Sequence, residues 1–361
     1  MTSERILMTG NDAVGAGAIQ AGCDCYFGYP ITPQNELTAY MARHMPENGR
    51  VFVQAESELA AVNMVFGASS AGARAMTSSS SPGVSLKQEG ISFLACAELP
   101  SVIVNVQRGG PGLGNIAPAQ ADYFQAVKGG GHGDYHQIVL APFSVQETYD
   151  LTMTAFDLAD RYRTPVMVLT DGRLGQMMEP MTPKARECRP PPKPWALSGA
   201  DGRAPNIVRS LYLVENELTE VNRRLQAKYA EIVRKEVRYE TQSTEDCELL
   251  LIAYGSSARI ASGAVIESRR QGIRTGLLRP VSLWPFPDEA VRKLAGRVRA
   301  VMVVELSAGQ MREDVDRAVQ GQTEVHLESR LGGSVFTVAD VVAHIKEIAA
   351  SWQEPIKDPN R

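Results

Sequence analysis

The chain has 361 residues, more than twice the ~150 residues of an average domain, so we expect two domains. Apolar residues make up 44% and charged residues 22%, and the net charge is −4, which excludes a strongly basic nucleic-acid-binding protein. The apolar runs, such as 249–254, are too short to span a bilayer, and residues 1–5 lead into a strand without the apolar core of a secretion signal. We therefore expect a cytoplasmic protein without a membrane segment.

The cysteines and histidines predict no metal site in this chain. No Cys-x-x-Cys motif occurs among the five dispersed cysteines, a pattern typical of a reducing compartment. His132 and His136 form the only pair with helical i,i+4 spacing, but the glycines of 129–133 disfavour a helix there.

The first 180 residues alternate between strand-like and helix-like segments, which predicts a parallel sheet with right-handed crossovers. The predicted strands are 5–8, 25–28, 51–54, 75–77, 101–107 and 165–170. The predicted helices are 11–21 with Asn11 as cap, one opened by Thr32 and Pro33, 58–72 capped by Ser57, 84–97, and 144–162 opened by a capping box at Ser144 and Glu147.

The second half predicts a smaller α/β domain after a proline-rich linker. Prolines cluster between 189 and 194, and a charged amphipathic helix is expected over 219–238. Further strands are predicted at 249–254, 275–278, 301–304 and 323–326, and a last helix near 338–350. The resulting division is 1–185, 186–245 and 246–361.

Three loops that follow predicted strands have unusual compositions: 28–33, 54–58 and 108–115. Open α/β sheets bind ligands at the carboxyl ends of their strands, so these loops are the candidate site. The chain contains no Gly-Lys and hence no Walker A motif. A dinucleotide fingerprint is nearest at 112–117, but Pro111 and Pro118 frame that segment as a loop.

Each charged or polar residue in these loops has a structural and a functional interpretation. Thr32 could simply cap a helix, and Glu58 could simply favour a helix dipole from the first turn. Arg108 ends an otherwise uncharged strand and is either a solvated loop charge or an anion binder.

Taken together, several segments resemble the α subunit of 2-oxoacid:ferredoxin oxidoreductases. The segments are Tyr-Pro-Ile-Thr-Pro at 29–33, Glu-Leu-Ala-Ala-Val followed by Gly-Ala within 58–68, Thr-Ser-Ser-Ser-Ser-Pro-Gly at 77–83, Glu-Leu-Pro at 98–100, Val-Gln-Arg-Gly-Gly-Pro at 106–111, Gly-Gly-Gly-His-Gly-Asp-Tyr at 129–135, Tyr-Gly-Ser-Ser-Ala-Arg at 254–259 and Leu-Arg-Pro-Val-Ser-Leu-Trp-Pro-Phe-Pro at 278–287. The resemblance covers nearly the whole chain and is strongest to the 3-methyl-2-oxobutanoate type. The 2-oxoglutarate type is the close alternative.

The resemblance implies a thiamine-diphosphate pyrimidine-binding domain followed by a transketolase-C-terminal-like domain. Such enzymes decarboxylate a 2-oxoacid oxidatively, reduce ferredoxin and acylate coenzyme A. Thiamine diphosphate would be shared with a β subunit that holds the diphosphate and Mg²⁺, while [4Fe-4S] clusters would lie on partner subunits, including γ and ferredoxin-like subunits. This chain would bind neither Mg²⁺ nor clusters and would be inactive alone.

The resemblance also assigns residues. Glu58 matches the glutamate that binds the aminopyrimidine ring, where its carboxyl group favours the tautomer that the cofactor needs for its own proton transfer. Thr32 and Arg108 match the binders of the substrate carboxylate. Tyr29, Pro30 and Ile31 would shape the pocket near the ring, and Asn115 and His132 are further candidates for the substrate pocket.

Alternative functions stay open at this point. A non-catalytic assembly subunit would keep the fold without the chemistry, and a dinucleotide-dependent dehydrogenase is a third possibility. Beyond Arg108, no second basic residue is obviously placed for a distal carboxylate, which favours a substrate with an uncharged side chain. Lys128 or Arg74 could still serve a dicarboxylate.

Overall fold

The computed structural model describes residues 5–184, 188 and 190–352, and these residues form two sheets covered by helices together with a two-stranded ribbon. The predicted boundary at 185/186 lies outside the described residues. The described strands are β1 (Ile6–Thr9), β2 (Cys25–Gly28), β3 (Val51–Gln54), β4 (Ala75–Ser79), β5 (Ser101–Gln107), β6 (Ile138–Leu140), β7 (Pro165–Asp171), β8 (Met178–Met181), β9 (Tyr239–Gln242), β10 (Leu249–Ile252), β11 (Thr275–Pro280), β12 (Ser282–Trp284), β13 (Ala300–Glu305) and β14 (Glu324–Ser329). The described helices are α1 (Gly10–Gln20), α2 (Asn35–Glu47), α3 (Glu58–Ser70), α4 (Ser81–Cys96), α5 (Tyr123–Val127), α6 (Val145–Tyr162), α7 (Gly172–Gln176), α8 (Glu215–Lys235), α9 (Gly255–Arg270), α10 (Asp288–Ala295), α11 (Gln310–Val319) and α12 (Val338–Ser351).

The larger sheet has the strand order β12-β6-β7-β5-β4-β2-β3, and its members from the first half of the chain run parallel. Strands β5 and β7 are buried along their whole length, because helices cover both faces of the sheet. Their carboxyl ends therefore meet the ends of β2, β3 and β4 at one edge. The predicted α/β class is confirmed.

The smaller sheet has the order β14-β13-β10-β11-β9, with β9 antiparallel to β11. It contains the predicted strands of the second half and also β9, which lies in the segment expected to be linker. The three-part division of the chain stays a prediction.

The first strand does not join the parallel sheet. Strand β1 pairs antiparallel with β8, a strand that the sequence analysis did not anticipate after 165–170. The predicted cap of the first helix was also wrong. Thr9 caps α1 by accepting a hydrogen bond from the Asp12 backbone, whereas Asn11 lies inside the helix and donates its side chain to the Pro33 carbonyl oxygen at 2.8 Å.

The predicted helix start at Thr32 was also wrong. The backbone N–H of Gln34 donates to the Ile31 carbonyl oxygen at 3.0 Å, which closes a turn before α2 begins at Asn35. The Thr32 hydroxyl accepts a hydrogen bond from the Asn35 side chain at 3.1 Å rather than from a helix backbone N–H. Thr32 is thus a loop residue at the sheet edge.

A buried glutamine joins the two sheets. The Gln120 side chain donates to the Tyr254 carbonyl oxygen at 2.9 Å and accepts from the Ser257 hydroxyl at 2.6 Å and the Leu306 backbone at 3.0 Å. Strand β12, which follows β11 of the smaller sheet, pairs antiparallel with β6 of the larger one. Polar contacts and a strand therefore both cross between the halves.

Candidate active site at the carboxyl edge of the larger sheet

The three loops singled out from the sequence lie at one edge of the larger sheet. The Ala55 backbone N–H donates to the Gly28 carbonyl oxygen at 2.9 Å and joins the loops after β2 and β3. The Arg108 guanidinium donates from Nη1 to the Thr32 carbonyl oxygen at 2.9 Å and joins the loops after β5 and β2. Residues from distant parts of the sequence therefore surround one region.

Glu58 is the first residue of α3, and its side chain is buried, with 6% of the residue exposed. Ser57 caps the helix as expected, because its Oγ accepts from the Ala60 N–H at 3.1 Å. The carboxylate lies against Gly83, where a Cβ atom would overlap Glu58 Oε1 and Ser79 Oγ. The absence of a side chain at Gly83 therefore leaves the space that the Glu58 carboxylate occupies at this edge of the sheet.

Unsatisfied hydroxyl groups lie beside this carboxylate. Ser79 and Ser80 are fully buried at the end of β4, and their Oγ atoms have no hydrogen-bond partner among the described residues. The neighbouring Ser78 hydroxyl, in contrast, bonds to Tyr26 Oη at 2.6 Å and donates to the Gln34 side chain. Buried polar groups without partners are uncommon, and they indicate polar binding capacity at this edge.

Arg108 is buried, with 7% exposed, directly after β5. Nη1 and Nη2 donate to the carbonyl oxygens of Thr32 and Leu113, the latter at 3.0 Å, whereas the buried Nε has no partner among the described residues. Both acceptors are neutral carbonyl oxygens, so these contacts do not neutralise the positive charge of the guanidinium. It can attract an anion at this edge.

A half-buried acid, Asp122, supports the backbone next to Arg108. Asp122 accepts hydrogen bonds from Ser81 Oγ at 2.6 Å and Asn105 Nδ2 at 2.9 Å. Burial raises the pKa of Asp122, while these two donors and the charge of Arg108 oppose the rise. Ser81 Oγ in turn accepts from the Arg108 backbone N–H at 3.0 Å, so the end of β5 is tied to the start of α4.

Tyr29, Pro30 and Ile31 form the segment between β2 and Thr32. Tyr29 is 37% exposed and Pro30 is exposed, while Ile31 is half-buried. The carbonyl oxygen of Tyr29 accepts from the Gln34 side chain at 3.4 Å. These residues supply an accessible, largely apolar wall beside Thr32.

Asn115 lies in the loop that follows Arg108, but its side chain is engaged. Its Oδ1 accepts from the Ala117 N–H at 3.0 Å, and its Nδ2 donates to the Gly332 carbonyl oxygen of the second half at 2.8 Å. In this structure Asn115 ties the loop to the smaller domain.

The structure does not bring His132 to the same region. The segment around it packs along α4, where the His132 carbonyl oxygen accepts from Ser92 Oγ at 2.7 Å and its ring meets the edge of Phe93. Ser92 lies three helical turns after Ser81, which is about 16 Å along the helix axis. His132 instead lines a cavity of about 190 Å³ against α8.

The other basic residues considered for a distal carboxylate are used elsewhere. Arg74 precedes β4, at the opposite edge of the sheet, and its Nε donates to Asp160 at 2.7 Å. Lys128 forms an ion pair with Asp314. Neither side chain lies free beside Arg108.

The sequence analysis overlooked Lys87. This residue is fully buried on α4 and donates to Thr77 Oγ1 at 3.0 Å and to the Glu58 carbonyl oxygen at 3.3 Å. The available signal was its position one helical turn after Gly83, on the same face of the helix.

These features fit the aminopyrimidine half of thiamine diphosphate. A buried carboxyl group lies beside a glycine that leaves room for it, buried hydroxyls lack partners, and a guanidinium and an accessible apolar segment lie within the same edge. Fold and site thus define a thiamine-diphosphate-binding α/β domain joined to a second, smaller α/β domain.

Among the described residues, no cluster of three or more His, Cys, Asp or Glu side chains could hold a metal ion, and no helix is long and apolar enough to cross a membrane.

Comparison with known families agrees with this class. The family model described as pyruvate flavodoxin/ferredoxin oxidoreductase, thiamine diP-bdg, matches residues 16–238. The model described as pyruvate:ferredoxin oxidoreductase core domain II matches residues 247–341. The chain belongs to the 2-oxoacid:ferredoxin oxidoreductase family, as one subunit of a multi-subunit oxidoreductase.

Sequence identity to curated relatives distinguishes the two subtypes that the sequence resembles. The ketoisovalerate oxidoreductase subunit VorB of Methanothermobacter marburgensis is 56% identical, over 95% of this chain and 97% of its own length. The 2-oxoglutarate synthase subunit KorA of Methanothermobacter thermautotrophicus is 38% identical, over 94% of this chain and 98% of its own length. The first type is therefore favoured over the second, as the sequence analysis expected.

Solved structures share the architecture. The 2-oxoglutarate:ferredoxin oxidoreductase from Magnetococcus marinus superimposes with a TM-score of 0.87 at 28% identity, and the match covers 96% of this chain and 65% of that one. A split-gene transketolase superimposes with a TM-score of 0.59 at 15% identity, covering 94% and 96%, which shows the fold alone.

Proposed function

We propose that this chain supplies the aminopyrimidine half of a thiamine-diphosphate site in a CoA-acylating 2-oxoacid:ferredoxin oxidoreductase. The observation that carries the proposal is the buried Glu58 carboxylate at the start of α3, which lies against Gly83 at the carboxyl edge of the sheet. Glu58 would hold one nitrogen of the ring, and Tyr29, Pro30 and Ile31 would line its surroundings.

The cofactor, when bound, supplies the carbon nucleophile and the electron sink for decarboxylation of a 2-oxoacid. The chain's own residues bind and orient the cofactor ring and the substrate. The Glu58 carboxylate would accept a hydrogen bond from a protonated ring nitrogen, and burial keeps water from competing for it. Arg108 and Thr32 position the substrate carboxylate, and the carbonyl contacts of Arg108 limit how strongly it holds a group that must leave as CO₂.

The proposed substrate is a branched-chain 2-oxoacid of the 3-methyl-2-oxobutanoate type. The 56% identical relative is a ketoisovalerate oxidoreductase subunit, which supports this choice. So does the engagement of Arg74 and Lys128 with Asp160 and Asp314, because a dicarboxylate would need a second cation. Asn115 and His132 would serve the pocket only if their present contacts at Gly332 and α4 changed.

The proposed partners are a β subunit that holds the diphosphate and Mg²⁺, and γ and ferredoxin-like subunits that carry the [4Fe-4S] clusters and reduce ferredoxin. Tyr29 and Pro30 are exposed beside Thr32, which supports a site that a second chain completes. The chain alone would then lack activity.

The test is CoA-dependent reduction of a viologen dye by the complex purified from its native cell, across a panel of 2-oxoacids. Glu58→Gln should lower turnover by about 10²- to 10⁴-fold while leaving assembly intact. Glu56→Gln, which changes an exposed acid two residues earlier, should change turnover little.

Near-normal turnover of Glu58→Gln would refute the proposed site. Preference for 2-oxoglutarate over branched-chain substrates would favour the alternative subtype. Purification of the intact complex without thiamine diphosphate would favour a non-catalytic assembly role.

A further inference from the structure

Lys87 is a fully buried lysine next to the proposed catalytic centre. Lysine is almost never buried completely unless an opposite charge pairs with it. The hydrogen-bond acceptors of its Nζ are two neutral oxygens, Thr77 Oγ1 at 3.0 Å and the Glu58 carbonyl oxygen at 3.3 Å. Neither of these two hydrogen bonds is an ion pair, so they do not supply the opposite charge that the burial of Lys87 requires.

The position of Lys87 follows from a close approach of two helices. Gly83, Lys87 and Gly90 share one face of α4, at i, i+4 and i+7. A Cβ atom on Gly90 would overlap Val62 of α3, and one on Gly83 would overlap the Glu58 carboxylate. The lysine side chain is enclosed between these two contacts and ends under the first turn of α3.

The electrostatic surroundings of Lys87 are dominated by Glu58. Seven other titratable groups lie on the elements packed against α4 besides Glu58 on α3. They are Arg108 after β5, Asp122 bonded to Ser81, Tyr123 on α5, Asp171 at the end of β7, and His132, Asp134 and Tyr135 of the segment along α4. On α4 itself, Glu89 is exposed. Burial lowers the pKa of Lys87 to about 7, and the charge of Glu58 opposes this effect.

We propose that Lys87 is a positioning residue that favours the carboxylate form of Glu58 and fixes the first turn of α3, and so sets the pH range in which Glu58 engages the cofactor ring. This proposal rests on the proposed function of Glu58. The attraction that favours the charged lysine also favours the charged glutamate, because the interaction is shared by both groups. Without the ammonium group, the Glu58 carboxylate loses this attraction.

The primary test measures binding rather than turnover. The purified complex is freed of its cofactor, and thiamine diphosphate is titrated back with Mg²⁺ present between about pH 5 and 9, with tryptophan fluorescence as the signal. In Lys87→Met, whose side chain is unbranched and neutral, the acidic midpoint of binding should move up by about one pH unit. Glu89→Gln, which removes an exposed charge on the same helix, should leave the midpoint unchanged.

A double-mutant cycle separates an effect through Glu58 from a general structural effect. In Glu58→Gln, the further change Lys87→Met should shift neither the binding midpoint nor the residual kcat/KM profile. Lys87→Gln, which keeps a donor for Thr77 but no charge, should reproduce the midpoint shift and serves if the methionine variant does not assemble.

Unchanged midpoints in both Lys87 variants overturn the proposal, and so does an equal shift in the Glu58→Gln background. These results leave the function of Glu58 intact, because that function is tested by Glu58→Gln alone. Conversely, full turnover of Glu58→Gln removes the proposed function and this inference together.

Discussion

The Arg108 guanidinium donates from Nη1 to the carbonyl oxygen of Thr32, at 2.9 Å. The two residues proposed to bind the substrate carboxylate are thus in direct contact although they lie 76 positions apart in the sequence. The contact uses the backbone of Thr32 to orient the guanidinium. The Thr32 hydroxyl is not part of it and accepts a hydrogen bond from the Asn35 side chain instead.

Replacement of Arg108 should affect the substrate more than the cofactor. A hydrogen bond to a charged group is worth about 1.5–3 kcal/mol, so Arg108→Ala should raise KM for the 2-oxoacid roughly 10- to 150-fold. The Kd for thiamine diphosphate should change little. Arg173→Ala, which removes an exposed arginine after β7, is the matched control, and equal KM values for Arg108→Ala and wild type would contradict the assignment.

A single methyl group at Gly83 should displace the catalytic carboxylate. Because a Cβ atom there overlaps Glu58 Oε1 and Ser79 Oγ, Gly83→Ala should lower kcat/KM by about 10²-fold through misplacement of Glu58. Gly67→Ala is the control, since Gly67 lies in α3 with no atom near the added methyl group. The control should retain activity and gain up to about 1 kcal/mol of stability from its better helix propensity.

If Gly83→Ala retained wild-type kcat/KM while a structure showed Glu58 unmoved, the proposed role of this glycine would be wrong.

The buried amine of Lys87 should make folding stability depend on pH. Its pKa of about 7 in the folded chain lies below the ~10.4 of an unfolded lysine, so the unfolded state binds more protons between these values and stability rises with pH. Lys87→Met removes this dependence. It should stabilise the complex more at pH 6 than at pH 9, by about 1–3 kcal/mol in free energy of unfolding.

Thermal unfolding at the two pH values measures this difference. Lys346→Met, at an exposed position of α12, should show no such dependence. An equal gain for Lys87→Met at both pH values would mean that Lys87 titrates normally.

The junction of the two halves should depend on Gln120. Gln120→Leu leaves the Tyr254 carbonyl oxygen, the Ser257 hydroxyl and the Leu306 N–H without their partner, which should cost about 2–5 kcal/mol in unfolding free energy. Asn115→Ala also removes a contact between the halves, but at an exposed position, so its cost should stay below about 1 kcal/mol. Denaturant unfolding followed by circular dichroism compares them, and equal costs would contradict the dominant role of Gln120.

Local signals in the sequence predicted the regular elements well, because capping and burial act over a few residues. Ser57 caps α3 as expected, and Ser144 caps α6 by accepting from the Glu147 N–H at 3.1 Å. Glu147 differs from the predicted capping box in that it accepts from the Phe143 N–H at 2.8 Å. Strands β6 and β12, with three residues each, are too short to show any periodicity.

Long-range relationships were harder to predict. The position of Glu58 and Arg108 at one edge follows from the parallel sheet, because both come directly after strands of that sheet. His132 follows no strand, so the same rule does not apply to its segment, and the structure places it along α4. Lys87 escaped notice because a lysine in a helix is normally solvated, and only the glycine face of α4 explains its burial.

The pairing of β12 with β6 has a consequence for how this polypeptide can be divided. A fragment that stops before Ser282 lacks β12, so β6 becomes an edge strand with unpaired backbone groups. Exposed edge strands pair with strands of other chains. Attempts to express the N-terminal half by itself should yield aggregates, and a gene split that preserves folding would have to leave Ser282–Trp284 with the first piece.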